Sequence, residues 1–190
     1  MPASLKDIYD IPLHRISGAD ATLGEYRGKV LLVVNVASKC GLTPQYAGLE
    51  RLHERFQGQG LVVAGFPAND FASQEPGTNQ EIAGFCSTSF GVKFPLFEKI
   101  AIVGTQKHPL YQALTAARPA TEGGADTPFR EKLKSYGIAP NPAPEVLWNF
   151  EKFLISRSGT VVKRFSPDTD PEAPDILAAI TAELGRPAGA

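Results

Sequence analysis

The sequence lacks the features that would place it in several common classes of protein. It holds only two cysteines in 190 residues, too few for a framework of disulfides. No apolar stretch approaches the length of a transmembrane helix, and the first sixteen residues contain no apolar run of signal-peptide length. We therefore expect a cytoplasmic protein without stable membrane association, whose cysteines suit chemistry better than structural bridging.

Excess charge and clustered histidines are missing as well. The 19 basic and 20 acidic residues nearly cancel, so there is no basic excess of the kind that binds nucleic acid. His14, His53 and His108 are far apart, and none pairs with a cysteine or another histidine at metal-ligand spacing. We expect no bound metal. The remaining composition, 43% hydrophobic and 21% charged, predicts one ordinary globular domain over residues 1–190.

A strand–helix–strand pattern dominates the first half of the sequence. Val30–Val36 is almost entirely apolar and β-branched, which predicts a strand covered on both faces. Thr43 is expected as the N-cap and Pro44 as the first residue of a helix that ends near Gln57. Leu61–Phe66 follows as a second apolar strand. Two strands joined by a helix in this way predict a βαβ unit with parallel strands, and hence an α/β fold.

The other segments complete that α/β fold and add a β-hairpin at the N-terminus. Residues 118–145, with five prolines and three glycines, are predicted to be a long loop or insertion with a short helix near 129–136. The further predicted elements are the hairpin around residues 8–20, a helix that begins at a Thr78–Glu81 capping box, an extended segment at 94–97, a helix from His108, a hairpin of strands at 152–156 and 161–165, and a last helix capped by Asp170 or Thr169.

Cys40 stands in the loop between the first strand and the first helix. Helix amides and the neighbouring Lys39 favour its thiolate form, which is the nucleophilic form. Because Ser38 and Gly41 also flank the sulfur, we expect an exposed and reactive cysteine. The alternative is an unreactive free cysteine that ends a buried strand.

Two further loops hold polar side chains that could reach the same end of the sheet. Gln74 follows the second strand, and Trp148-Asn149 precedes the C-terminal hairpin. Their neutral N–H donors, beside Cys40 and without a nearby histidine base, suit redox chemistry at sulfur better than acyl transfer. The alternatives are a turn-bracing role for Gln74 and a purely structural role for Trp148 in the core.

Four long stretches of the sequence resemble those of glutathione peroxidases, in the same order and from about Leu5 to Leu184. They are GKVLLVVNVASKCGLTPQY (28–46), FPANDFASQEPG (66–77), VKFPLFEKI (92–100) and LWNFEKFLI (147–155). The chain resembles the cysteine-containing, non-selenium bacterial branch of that family. The resemblance implies a thioredoxin-like fold with a central mixed sheet flanked by helices. It also implies thiol-dependent reduction of hydrogen peroxide and organic hydroperoxides in the response to oxidative stress.

The resemblance also implies roles for individual residues. Cys40 matches the peroxidatic residue that is oxidised to a sulfenic acid, and Gln74, Trp148 and Asn149 match the other active-site positions. The implied partners are a hydroperoxide and a reductant, thioredoxin or glutathione, with no prosthetic group and a monomeric protein. A non-catalytic thioredoxin-fold protein that assists binding or uptake of a small molecule is the alternative from another class.

Three positions depart from patterns found in the family. Many members have a cysteine where Ala68 stands, and some glutathione-using relatives have a basic residue at the position of Leu42. Thioredoxin-dependent relatives carry a resolving cysteine on the helix before the VKFP-like segment, but alignment on Phe94-Pro95 places it at Ser87, one residue after Cys86. Cys86 is therefore either the resolving cysteine or part of an apolar stripe. We expect thioredoxin to be the better reductant.

Overall fold

A computed structural model describes residues 7–188. Residues 1–6 and 189–190, which the predicted domain includes, lie outside the described residues, as does Leu5 at the start of the family resemblance. The strands are β1 (Leu13–His14), β2 (Asp20–Ala21), β3 (Val30–Val36), β4 (Leu61–Pro67), β5 (Lys152–Ile155) and β6 (Val161–Phe165). The α-helices are α1 (Gln45–Phe56), α2 (Asn79–Phe90), α3 (Pro109–Ala117), α4 (Thr127–Ser135) and α5 (Pro174–Leu184).

The core is a mixed four-stranded sheet in the order β4-β3-β5-β6. β3 runs parallel to β4 and antiparallel to β5, and β6 is antiparallel to β5. All seven residues of β3 are buried, which explains why that strand is apolar without alternation. The predicted parallel pair, the C-terminal hairpin and the mixed sheet are all confirmed.

The predicted N-terminal hairpin is confirmed as the antiparallel pair of β1 and β2, but it starts only at Leu13, because Ile8–Asp10 forms a 3-10 helix. The extended segment at 94–97 also forms, and Leu96 makes a parallel bridge to Gly65 in β4. A Cβ atom at Gly65 would lie 2.8 Å from the Leu96 side chain, so this close approach requires glycine. None of the helices within residues 7–188 is long and apolar enough to cross a membrane.

The start of α1 differs from the prediction. The helix begins at Gln45 with Pro44 as its N-cap residue, and Thr43 does not cap it. The Thr43 hydroxyl instead accepts a hydrogen bond of 2.9 Å from the Cys40 amide and donates one of 2.8 Å to the Ala37 carbonyl. Thr43 therefore fixes the loop around Cys40, because both backbone groups lie within its reach before the helix begins.

The start of the last helix was also predicted wrongly. α5 begins at Pro174 with Ala173 as its N-cap residue, not after Asp170 or Thr169. The Asp170 carboxylate accepts a hydrogen bond of 2.8 Å from the Glu172 amide, which closes a turn upstream of the helix. Proline at the first helical position sets the boundary here, since its missing N–H is not needed there.

Other local predictions hold. The capping box of α2 is present, with the Thr78 hydroxyl accepting from the Glu81 amide and the Glu81 carboxylate accepting from the Thr78 amide. The short helix expected near 129–136 is α4, and its Phe129 side chain is buried. The buried Arg164 side chain donates hydrogen bonds to carbonyls at both ends of 118–145, those of Arg118, Pro144 and Glu145.

Candidate active site

The Cys40 sulfur lies in the loop after β3, which the two hydrogen bonds of the Thr43 hydroxyl hold in place. The Leu42 amide, 3.3 Å away, donates a hydrogen bond to it. The sulfur therefore has a backbone N–H donor of its own loop directed at it. The expectation of an exposed Cys40 is wrong: the residue is only 8% exposed. Side chains from distant segments cover it, and the sequence around the loop gives no signal of them.

Cys40 lies in a cleft of ≈260 Å³ that Gln74 and Trp148 also line. These residues come from three loops, after β3, after β4 and before β5. Because β5 is antiparallel to β3, its beginning lies at the carboxyl end of β3, so the loops meet at one edge of the sheet. A larger cleft of ≈390 Å³ lies against β6 and α5, and it contains none of the predicted site residues.

Asn149 reaches this cleft through Gln74. The Asn149 side chain is fully buried, and its Nδ2 donates a hydrogen bond of 2.8 Å to Gln74 Oε1. The backbone carbonyl of Gln74 accepts a hydrogen bond of 3.0 Å from the backbone amide of Lys39, next to Cys40. Ala72 and Ser73, just before Gln74, both have positive φ angles, so this loop adopts an unusual path. The three loops are thus tied to one another by hydrogen bonds.

Trp148 is held by a buried asparagine in the central strand. Asn35 Nδ2 donates a hydrogen bond of 3.0 Å to the Trp148 backbone carbonyl. The Phe150 amide in turn donates one of 2.6 Å to the Asn35 backbone carbonyl. The Trp148 ring packs against Phe71, with 5.4 Å between ring centroids. Its indole N–H has no hydrogen-bond partner within residues 7–188. The ring is therefore fixed, while its polar edge keeps a free donor.

Cys86 does not line the cleft. It is fully buried on α2, which fits the apolar stripe considered from the sequence. Burial raises the pKa of the Cys86 thiol to about 11, an effect that the nearby Tyr46 hydroxyl reduces and the Glu75 carboxylate increases. At neutral pH this thiol is protonated and a poor nucleophile. Both cysteines are free.

Several residues of the cleft were not anticipated from the sequence. Most of them come from 118–145, in or just after α4. A short helix was expected there, but no local pattern indicated that it faces Cys40. The spacing of Phe129, Leu133 and Tyr136 was the available signal, since residues four and three apart share a helix face. The additional lining residues are Gly41, Leu42, Phe129, Lys132, Leu133, Tyr136 and Ile138.

Within residues 7–188, no group of three or more His, Cys, Asp or Glu side chains is placed to hold a metal ion.

Comparison with known proteins decides the family. The family profile described as glutathione peroxidase matches residues 8–115. The chain belongs to the glutathione peroxidase family. Thioredoxin/glutathione peroxidase BtuE of Escherichia coli is 47% identical over 171 residues, which cover 90% of this chain and 93% of that protein. Hydroperoxy fatty acid reductase gpx1 of Synechocystis is 45% identical over 165 residues, which cover 87% of this chain and 89% of that protein.

Solved structures agree with the thioredoxin-like fold. The crystal structure of Trgpx in apo form is 32% identical with a TM-score of 0.69, covering 96% of this chain and 99% of that chain. The crystal structure of T. cruzi GPX1 is 33% identical with a TM-score of 0.67, covering 95% of this chain and 97% of that chain. A thioredoxin-family protein from Chlorobium tepidum shares the fold alone. It is 12% identical with a TM-score of 0.59, covering 97% of this chain and 100% of that chain.

As a member of this glutathione peroxidase family, with bacterial relatives, the protein is an oxidoreductase that uses thiols to reduce peroxides. The alternative of a non-catalytic binding protein is not favoured.

Proposed function

We propose that Cys40 is the residue that the hydroperoxide oxidises. The observation that carries this proposal is the position of its sulfur, beside the Leu42 amide and in the cleft where the three loops meet. The thiolate attacks the terminal oxygen of the hydroperoxide, forming an S–O bond as the O–O bond breaks. Sulfur is oxidised to sulfenic acid, and the leaving oxygen takes a proton and departs as water or an alcohol.

The hydrogen bond between Asn149 and Gln74 supports a division of roles. Gln74 Oε1 accepts the hydrogen bond from Asn149 Nδ2. The group at the end of the Gln74 side chain that remains free is therefore its Nε2 donor. We assign Gln74 Nε2 and the Trp148 indole N–H as donors to the sulfur and the leaving oxygen, and Asn149 as the residue that orients Gln74. Donors fixed in advance stabilise charge that develops in the transition state.

The second half of the cycle needs two thiols. The first attacks the sulfenic sulfur, forming a disulfide and releasing water, and the second reduces that disulfide and restores Cys40. We propose thioredoxin as the better reductant, with glutathione as the alternative. Support comes from Leu42, where some glutathione-using relatives have a basic residue, from the second cysteine, and from the E. coli relative named thioredoxin/glutathione peroxidase.

We propose Cys86 as the resolving thiol, by way of local unwinding of α2. A disulfide requires Cα atoms within about 7 Å. Cys86 is fully buried on a capped helix, so it has to leave that helix before it can reach a sulfenic acid in the cleft. The polar C-terminal turn, with Ser87, Thr88 and Ser89, is the part of α2 expected to open at low cost.

We infer one domain over residues 1–190, a monomer without a prosthetic group, and a cytoplasmic location. Tyr136 is the only strongly exposed large hydrophobic side chain within residues 7–188, which supports a protein that does not bury a large surface on association. The two free cysteines suit a reducing compartment.

Comparison of Cys40→Ser with Cys86→Ser tests the proposed chemistry. With hydrogen peroxide and reduced thioredoxin, we expect Cys40→Ser to show no turnover, because serine is a far weaker nucleophile at neutral pH. Cys86→Ser should still consume one equivalent of peroxide. A folded Cys40→Ser protein with near wild-type activity would refute the assignment.

The same proteins test the resolving step. After one equivalent of peroxide, peptide mass analysis of the wild type should find a Cys40–Cys86 disulfide. An accumulated Cys40 sulfenic or sulfinic acid beside a free Cys86 thiol, together with normal thioredoxin turnover by Cys86→Ser, would show that an external thiol resolves Cys40.

A further inference from the structure

The cleft around Cys40 is mainly apolar and contains one charged side chain. Six of its ten lining residues are the hydrophobic or aromatic Leu42, Phe129, Leu133, Tyr136, Ile138 and Trp148. Lys132 is the single charged residue among the ten. Hydrogen peroxide, which is small and polar, gains nothing from an apolar wall beyond the reacting sulfur. The lining is better suited to a hydroperoxide with a hydrocarbon chain.

Lys132 lies on the face of α4 that forms this wall. Residues 129, 132, 133 and 136 fall within an arc of about 100° on a helix, so Lys132 shares the face of Phe129 and Leu133. Lys134 lies on the other side of α4, where its ammonium is 2.8 Å from the Glu131 carboxylate. Lys132 has no ion-pair partner among residues 7–188. Its positive charge is therefore available to a ligand in the cleft.

The residues of this face differ in how far they are exposed to solvent. Phe129 and Leu133 are 5% and 3% exposed, Lys132 is exposed, and Tyr136 is 68% exposed. At Gly41 and Leu42 the cleft also adjoins a second one of ≈180 Å³. The cleft thus offers a long ligand buried apolar side chains, an exposed cation at Lys132, and a neighbouring cleft beside Gly41 and Leu42.

We propose that α4 is the substrate-recognition element of this peroxidase and that Lys132 selects hydroperoxides with a carboxylate on a hydrocarbon chain. Such a ligand places its hydroperoxide at Cys40, packs its chain against Phe129 and Leu133, and pairs its carboxylate with the Lys132 ammonium. The inference rests on the proposed role of Cys40 as the oxidised residue. It adds a specificity-determining residue on the short helix within the segment 118–145.

The test measures selectivity between two substrates that differ only in charge. The probes are a C18 fatty acid hydroperoxide below the concentration at which it forms micelles, and its methyl ester. We compare kcat/KM for the acid and the ester in wild type, Lys132→Gln and Lys134→Gln, with thioredoxin as reductant. Lys132→Gln should lower the acid-to-ester ratio about twofold to fivefold, the upper part of the range for one exposed charge pair. The variant should show this loss as a higher KM for the acid, and added salt should reduce the acid-to-ester ratio of the wild type.

Lys134→Gln is the matched control, because it removes the same charge from the same helix on the other face. Its ratio should equal that of the wild type. An unchanged ratio in Lys132→Gln, or an equal fall in Lys134→Gln, would overturn the inference while leaving peroxide reduction through Cys40 intact. If the wild type reduces neither lipid probe nor hydrogen peroxide, or if Cys40→Ser reduces them all, the proposed function itself fails.

Discussion

The side-chain amide of Asn149 donates a hydrogen bond of 2.8 Å to the side-chain oxygen of Gln74, 75 positions earlier in the chain. This bond joins the loop after β4 to the loop before β5 at the edge of the cleft. Asn149 is fully buried, and its Oδ1 has no hydrogen-bond partner within residues 7–188, so the side chain is held in place by its donor and by packing. The bond fixes which end of Gln74 is free.

We expect Gln74→Ala to slow the oxidation of Cys40 by about a hundredfold, the usual cost of losing one donor to a developing charge. Asn149→Ala should slow the same step because Gln74 then loses its orientation. Stopped-flow measurement of the second-order rate with hydrogen peroxide reports this step alone. Thermal unfolding of each variant controls for damage to the fold.

The double variant separates orientation from independent action. If Asn149 acts through Gln74, Gln74→Ala with Asn149→Ala should be about as slow as Gln74→Ala alone, since residues in one hydrogen-bond network are not additive. Losses that multiply would mean that Asn149 contacts the reacting atoms by itself.

Much of the fold that positions this site follows from local sequence signals. The apolar run of β3, the Thr78–Glu81 capping box and the start of α3 at His108 each depend on residues close together in the chain, and all three form as expected. The position of Cys40 in a loop is predictable for the same reason, because an apolar strand and a helical pattern flank it, although the first residue of that helix was not predicted.

The burial of Cys40 was not predictable in this way. The residues that cover it, Phe129 and Trp148 among them, lie about ninety or more positions later in the chain, and no local pattern places them there. Thr43 illustrates the same limit on a smaller scale. Its preference for a helix N-cap was overridden because the Cys40 amide and the Ala37 carbonyl offered its hydroxyl two partners.

The two cysteines should differ strongly in alkylation of the native protein. Burial raises the pKa of Cys86 to about 11, so at pH 8 only about one in a thousand of these thiols is ionised. We expect iodoacetamide at pH 8 to label Cys40 and to leave Cys86 unmodified, as read by peptide mass. Labelling of both in denaturant is the control, and equal labelling in the native protein would show that α2 opens freely.

The buried ion pair of Arg164 and Glu151 should be essential for stability. The Arg164 side chain is 3% exposed, and it donates hydrogen bonds to three carbonyls and, at 3.1 Å, to the Glu151 carboxylate. Arg164→Met would leave that carboxylate buried without its partner, at an expected cost of about 3–5 kcal/mol. Urea unfolding at neutral pH measures the change.

Arg51 provides the matched comparison. It forms a bidentate pair with Glu172, but its side chain is 60% exposed, so Arg51→Met should destabilise the protein far less than Arg164→Met. Equal losses in the two variants would mean that burial does not set the strength of these pairs.

Lys152 should give the folded protein a distinct dependence on pH. Its ammonium is fully buried and donates hydrogen bonds of 2.6 and 3.1 Å to the carbonyls of Phe150 and Pro167. Burial lowers the pKa of Lys152 from 10.5 to about 7, and the carboxylates of Glu151, Asp168 and Asp170 oppose that change. Between these pH values the unfolded chain holds a proton that the folded chain has released. The contribution of Lys152 to stability therefore rises with pH above about 7 and is lost as pH falls through that value.

We expect the free energy of unfolding to rise between pH 7 and 8.5 by at most about 1.4 kcal/mol per pH unit from this one residue. Deprotonation keeps both hydrogen bonds, because a neutral amine still has two N–H donors. Lys152→Met should be less stable overall, since two carbonyls lose a donor, and its stability should lack this rise. Urea midpoints measured at pH 6.5, 7.5 and 8.5 for the two proteins provide the test. The window stops below pH 9 because Cys86, with its raised pKa, lowers stability as pH rises further. Parallel curves for the wild type and Lys152→Met would mean that Lys152 stays charged in the folded protein, held so by the three carboxylates.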